Sequence, residues 1–372
     1  MAVLARPLRP GSVHETIWPR PRTLLSCVSV TALSTALVAL ASGGADASTR
    51  TPSHAARPMP AQVAAPYFEA WTGESPARLA AASGNKYLTM AFLQTAEAGS
   101  CTAYWNGDTT QPISRASFGA DIAAIQARGG NVIPSFGGYS ADTTDTELAD
   151  SCTDVDAIAS VYESLVTTYG VTRIDLDIEA DSITDAAGID RRNKAIAEVQ
   201  HWARRTGHHV QFSYTLPTTT TGLAPSGVAL LRNAVDNGTR VDVVNIMTFD
   251  YWDGATHDMA ADTVSAATGL HGQLAALYPK KSAAKLWSMI GVTEMPGIDD
   301  YGPEETFTTQ DAVAVVKWAE ARRINTLSFW ALQRDNGGCV GTAGANSCSG
   351  IAQDTWYFSH TFARFTRSGG GR

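Results

Sequence analysis

The residues best suited to chemistry lie in one short stretch, Gly170-Val171-Thr172-Arg173-Ile174-Asp175-Leu176-Asp177-Ile178-Glu179-Ala180. Side chains alternate along a strand, so Asp175, Asp177 and Glu179 share one face while Ile174, Leu176 and Ile178 share the other. Like charges about 6.7 Å apart along a strand are costly to bury unless they share protons, which raises the pKa of at least one. A carboxyl that keeps its proton near neutral pH can act as a general acid. Glu179 is outermost, and so is the one expected to reach a bound molecule. The competing readings are acids that merely cap a strand end, or a cation site.

Eight apolar, β-branched or aromatic runs supply the positioning elements: 67–71, 87–93, 131–136, 173–178, 209–215, 241–249, 285–292 and 327–332. Several are nearly continuous in hydrophobicity, as strands buried on both faces should be. Helix-like segments lie between most of them, among them 118–127, 154–168, 189–206, 262–277 and 309–322. This alternation predicts the α/β class and a single (β/α)8 TIM barrel over residues 66–365, with functional residues at the C-terminal ends of the strands. An open doubly wound sheet is the alternative, but no glycine-rich dinucleotide loop follows the first run. Only 34 residues, 293–326, separate the last two runs, and they must hold a crossover helix near 311–322. A large insertion domain has no room there.

Arg6, Arg9, Arg20 and Arg22 precede the apolar stretch 24–41, and Ala45-Asp46-Ala47 follows it. This pattern predicts a secretory signal over 1–47, then a Pro-, Ala- and Ser-rich linker over 48–65 and a disordered tail over 366–372. Removing residues 1–47 leaves 24 basic against 34 acidic residues, a net charge near −10. Such a chain without a Lys/Arg stripe is a poor partner for nucleic acid. Four cysteines remain, Cys101, Cys152, Cys339 and Cys348. In an oxidising compartment they predict two disulfides, and closeness in sequence favours Cys339–Cys348 with Cys101–Cys152. The absence of CxxC, and of histidine at ligand spacing beside a cysteine, argues against a metal site.

Cleavage of a glycosidic bond by the common double displacement needs two carboxylates flanking the bond, about 5–5.5 Å apart. Asp177 and Glu179 approach from one strand, hence from one side. A nucleophile would then be water or part of the substrate, such as a 2-acetamido group.

The sequence resembles glycoside hydrolase family 18, the chitinases and endo-β-N-acetylglucosaminidases. The family's fourth-strand signature is DGxDxDxE, and Thr172–Glu179 reads TRIDLDIE, matching its last five positions. Ser135-Phe136-Gly137-Gly138 matches the SxGG of the third strand, Met247-Thr248-Phe249-Asp250 resembles the MxYD of the sixth, and Trp330 falls where the family has its eighth-strand tryptophan. The resemblance implies a chitinase that retains configuration through an oxazolinium intermediate, and the signal-like segment and the missing room for an insertion domain add the expectation that it is secreted and endo-acting. Glu179 is then the proton donor, Asp177 the orienter of the acetamido group and Asp175 its buried proton partner. Met247, Phe249, Asp250, Ser135 and Gly137 belong to the substrate-binding set, with Trp330 beneath the −1 sugar. Thr172 and Arg173 depart from the leading Asp-Gly, and Phe249 replaces the usual tyrosine; Tyr251, two positions on, is expected to supply the missing hydroxyl.

Trp71, Trp105 and Trp252 fall at or beyond strand ends, where aromatic faces suit stacking on pyranose rings, whereas Trp202, Trp318 and Trp287 read as core. The expected partner is chitin or another N-acetylglucosamine-containing glycan, bound by a monomer without cofactor, metal or stable membrane association. The alternatives are endo-β-N-acetylglucosaminidase action on N-glycans and a non-catalytic sugar-binding barrel.

Overall fold

The computed structural model describes residues 58–369. The expected signal segment, most of the expected linker and the last three residues lie outside the described residues. The strands are β1 (Val63–Ala64), β2 (Tyr67–Glu69), β3 (Tyr87–Thr95), β4 (Ala103–Trp105), β5 (Asn131–Gly137), β6 (Arg173–Asp177), β7 (Gln211–Pro217), β8 (Val243–Met247), β9 (Ile290–Glu294), β10 (Gly297–Ile298), β11 (Thr306–Phe307) and β12 (Thr326–Phe329). β1 pairs in parallel with β12, and β2 in parallel with β3. The short run 63–69 therefore closes the circle β12-β9-β8-β7-β6-β5-β3 into an eight-stranded parallel barrel. β4 adds an antiparallel strand to β3, and β10 pairs with β11 as a small separate ribbon.

The helices are α1 (Pro76–Ser83), α2 (Gly119–Ala127), α3 (Tyr139–Asp142), α4 (Leu148–Ser151), α5 (Val155–Tyr169), α6 (Ala186–Thr206), α7 (Pro225–Asp236), α8 (Met259–Leu277), α9 (Ala283–Trp287), α10 (Thr309–Arg322) and α11 (Tyr357–Gly369). Their starts follow local chemistry. The Asp154, Asp185 and Asp258 carboxylates accept first-turn amides of α5, α6 and α8, and Thr308 with Asp311 makes a reciprocal capping box on α10. Among the described residues no helix is long and apolar enough to cross a membrane.

Ile174, Leu176 and Ile178 point outward into the core between barrel and helices. Tyr162 of α5 locks the neighbouring strands there, with its ring edge-on to Phe136 at 5.0 Å and to Phe212 at 5.6 Å. The opposite faces of the same strands turn Asp175 and Asp177 into the barrel, where both are buried.

Three boundaries differ from the sequence reading. The linker expected over 48–65 ends sooner, because Val63 and Ala64 already pair with β12. The tail expected from 366 is α11 through Gly369, and Thr366 accepts the Ala64 amide at 2.7 Å. The run 285–292 splits: Ser282 caps α9 by accepting the Lys285 amide, so the strand begins at Ile290. Trp287 therefore ends a helix rather than sitting mid-strand, and stacks on His271.

Candidate active site

A cavity of about 920 Å³ opens at the C-terminal ends of the strands, with Asp177 and Glu179 in its wall. Asp175 lies beneath them and is held by four hydroxyls. Tyr67 and Ser135 donate to Oδ2 at 2.9 and 2.7 Å; Ser213 and Thr215 donate to Oδ1 at 2.5 and 2.9 Å. The register explains the cradle, since Ser135 and Ser213 flank Asp175 on β5 and β7. Burial raises the Asp175 pKa, and the four donors offset part of that rise. Asp177 is pushed up further, by burial first and then by Glu179, Asp175 and Asp142.

Glu179 stands two residues beyond the end of β6. Burial raises it to about 7, the Tyr139 amide partly counters this, and Asp250 and Asp300 add to it. A carboxyl with that affinity for its proton can donate near neutral pH. Gly137 must be glycine: a Cβ there would lie 2.1 Å from the Asp177 carbonyl oxygen, and its φ is +93°.

The structure brings most of the expected binding residues together. Gly137, Met247, Phe249, Asp250, Trp71, Trp252 and Trp330 all line the cavity. Trp330 lies nearly parallel to Phe92 at 5.6 Å, and Phe92 to Trp71 at 6.3 Å, forming an aromatic wall. Trp252 is 60% exposed at the rim. Cys101 pairs with Cys152 and Cys339 with Cys348.

Three residues are placed otherwise than expected. Ser135 is fully buried below the cavity, where it holds Asp175 instead of facing a ligand. Trp105 is 1% exposed, because β4 folds back onto β3 and sends the indole N–H to the Tyr169 hydroxyl at 3.2 Å. Tyr251 is outside the cavity lining. Asp250 has φ +52°, so the chain turns after β8 and the two-residue alternation stops there. The Tyr251 ring packs on His257 at 5.0 Å, and its buried hydroxyl has no hydrogen-bond partner. Burial and the nearby Glu294 and Asp262 raise its pKa. A substitute for the missing Phe249 hydroxyl does not come from this side chain.

Several lining residues were not foreseen: Tyr67, Phe92, Tyr139, Thr215, Asp300 and Asn346. The alternating hydroxyls Ser213 and Thr215, in phase with Asp175 and Asp177, are the signal that would have found part of this set. Asp250, Asp299 and Glu305 bring carboxylate oxygens within 4.8 Å of one another. These oxygens accept backbone amides: Asp299 takes those of Asp250, Tyr301 and Gly302, and Glu305 those of Tyr251 and Trp252. The cluster thus shapes the loop that carries Trp252.

The model of the glycosyl hydrolases family 18 matches residues 63–295, from the first strand of the barrel through the seventh. The chain belongs to glycosyl hydrolases family 18. A probable bifunctional chitinase/lysozyme of Escherichia coli is 32% identical over 321 residues, 83% of this chain and 35% of that protein. Endochitinase 11 of Metarhizium anisopliae is 31% identical over 288 residues, 74% of this chain and 53% of that protein. The chain therefore spans about a third to a half of the length of these two relatives. The catalytic domain of a hyperthermophilic chitinase from Pyrococcus furiosus superimposes with a TM-score of 0.73 at 31% identity, covering 86% of this chain and 99% of that domain. In this family-18 barrel Asp177 and Glu179 line the cavity at the C-terminal end of β6, with Asp175 beneath them.

Proposed function

We propose that the chain is a secreted, endo-acting chitinase, hydrolysing β-1,4 bonds between N-acetylglucosamine units with retention of configuration. The observation that carries this reading is the stacked acid series on one strand, with Glu179 raised to about 7 at the cavity wall and Asp177 buried beside it. In the proposed reaction the acetamido oxygen attacks the anomeric carbon as the glycosidic C–O bond breaks. Glu179 gives its proton to the leaving oxygen, and Asp177 orients the acetamido group through its N–H. Water then opens the oxazolinium ring and returns a proton to Glu179. Trp330 provides the apolar floor for the sugar ring.

Family membership supports the reading, as do the chitinases among the relatives. Secretion is supported by the signal-like pattern of residues 1–47 and by two disulfides, which persist in oxidising compartments. The open aromatic wall from Trp71 to Trp330, with no large insertion domain on the seventh crossover, favours internal cleavage of accessible chains. The test is product analysis on chitohexaose beside a high-mannose glycoprotein. Chitobiose and chitotriose from the hexamer with the glycoprotein untouched is the expected result. Release of the N-glycan with the hexamer intact would replace this reading by endo-β-N-acetylglucosaminidase action.

A further inference from the structure

The ladder between β5 and β6 runs out one residue too soon for Glu179. Gly137 faces Asp177 as the last pair, and the Gly138 amide donates to the Asp177 carbonyl at 3.0 Å. The Glu179 amide would be next to need an acceptor from β5. The Gly138 carbonyl is already used, because α3 starts there and the Asp142 amide donates to it at 3.1 Å. The acceptor is instead a side chain: Asp142 Oδ2 takes the Glu179 amide at 2.5 Å. Immediately afterwards the chain bends through Ala180 at φ +36°, a conformation costly for a residue with a Cβ. The backbone of the proposed general acid is thus fixed on one side by a turn and on the other by this carboxyl.

We propose that Asp142 is a positioning residue for catalysis, clamping the Glu179 amide so that the acid's carboxyl is held at the scissile bond; this rests on the reading of Glu179 as general acid. Asp142 is 2% exposed, and its second oxygen is buried without a partner. The same short helix touches Glu179 a second time, through the Tyr139 amide that faces its carboxylate. The groups around Asp142 are Glu179, Asp177, Glu147 and the Arg192 guanidinium. Arg192 is engaged elsewhere, with Nη2 at 2.5 Å from Glu147 and 3.4 Å from Asp150. Burial and Glu147 raise Asp142 to about 9, which reduces the negative charge it places beside Glu179 near neutral pH. A neutral acceptor is all the clamp requires.

The test compares Asp142→Ala and Asp142→Asn in the full chain, with wild type and Glu179→Gln alongside, on chitotetraose and on 2,4-dinitrophenyl chitobioside. Asn keeps an oxygen acceptor for the amide and is uncharged. D142A is expected to lose about 10–100-fold in kcat on chitotetraose with KM within about 3-fold, because the loss is of near-attack geometry and not of binding. D142N is expected to remain within about 3-fold of wild type. The dinitrophenolate leaving group needs little protonation, so on that substrate the D142A deficit should shrink about 10-fold. An equal deficit on both substrates, a D142N as impaired as D142A, or a D142A with wild-type kcat would each overturn the clamp. If D142A fails to fold, a loss of 10-fold or more in D142N overturns it alone. A fully active E179Q would instead remove the general-acid reading itself.

Discussion

Glu179→Gln is expected to lower kcat on chitooligosaccharides by about 10²–10⁴-fold while the protein stays folded. Glutamine matches the volume and sits at the same cavity wall but has no proton to give. The sign of the accompanying pH effect follows from the raised affinity of Glu179 for its proton. The acid form works, so wild-type kcat/KM should be maintained below about pH 7 and fall as the pH rises through it. E179Q should lack that alkaline limb. Steady-state kinetics between pH 4 and 9, with circular dichroism to verify folding, provide the check. Near wild-type turnover in folded E179Q would remove Glu179 from the chemistry.

Asp177→Asn is expected to cost about 10²-fold in kcat, with KM moving much less, because a misdirected nucleophile forfeits effective molarity. The side chain is 3% exposed, and burial first, then Glu179, Asp175 and Asp142, raise its pKa. It can therefore keep a proton in the free enzyme and share it within the acid series. Asparagine would retain the shape and lose that proton exchange. The measurement is single-turnover kinetics on chitotetraose, which separates the chemical step from product release. A D177N chemical step within 3-fold of wild type would argue that the acetamido group needs no such partner.

The strand carrying the acids was legible because alternation of apolar and acidic residues is a local property. The eight-strand count was legible from apolar runs separated by helix-like segments, which are local too. What surrounds the acids was less so. Ser135, Ser213 and Thr215 meet at Asp175 only because β5 and β7 flank β6 in a specific register, and a single sequence does not state register. Asp142 reaches Glu179 from a four-residue helix that carries no periodic signal. Tyr251 was misplaced because the alternation was extended past the strand end, where Asp250 turns the chain. Trp105 was misplaced because β4 has only three residues, too few to reveal that it folds back. Arg173 stands in place of the glycine of the resembled signature. Its buried guanidinium reaches Gln211 and Thr326 across the lower end of the barrel.

The central claim is that the nucleophile is the substrate's own acetamido oxygen, with the protein supplying acid and orientation from one strand. Asp250 is the alternative within the cavity, a carboxyl from the turn after β8 close enough to raise the Glu179 pKa. Fluorination of the acetamido methyl decides between them, since each fluorine weakens the carbonyl oxygen as a nucleophile and leaves a protein carboxylate unaffected. The measurement is kcat/KM for aryl chitobiosides whose −1 sugar carries acetyl, monofluoroacetyl, difluoroacetyl or trifluoroacetyl on nitrogen. The account predicts a steep, monotonic fall of about 10²-fold or more across the series, at least ~2.7 kcal/mol in the barrier. A flat series, with the trifluoroacetyl substrate cleaved as fast as the acetyl one, would contradict it.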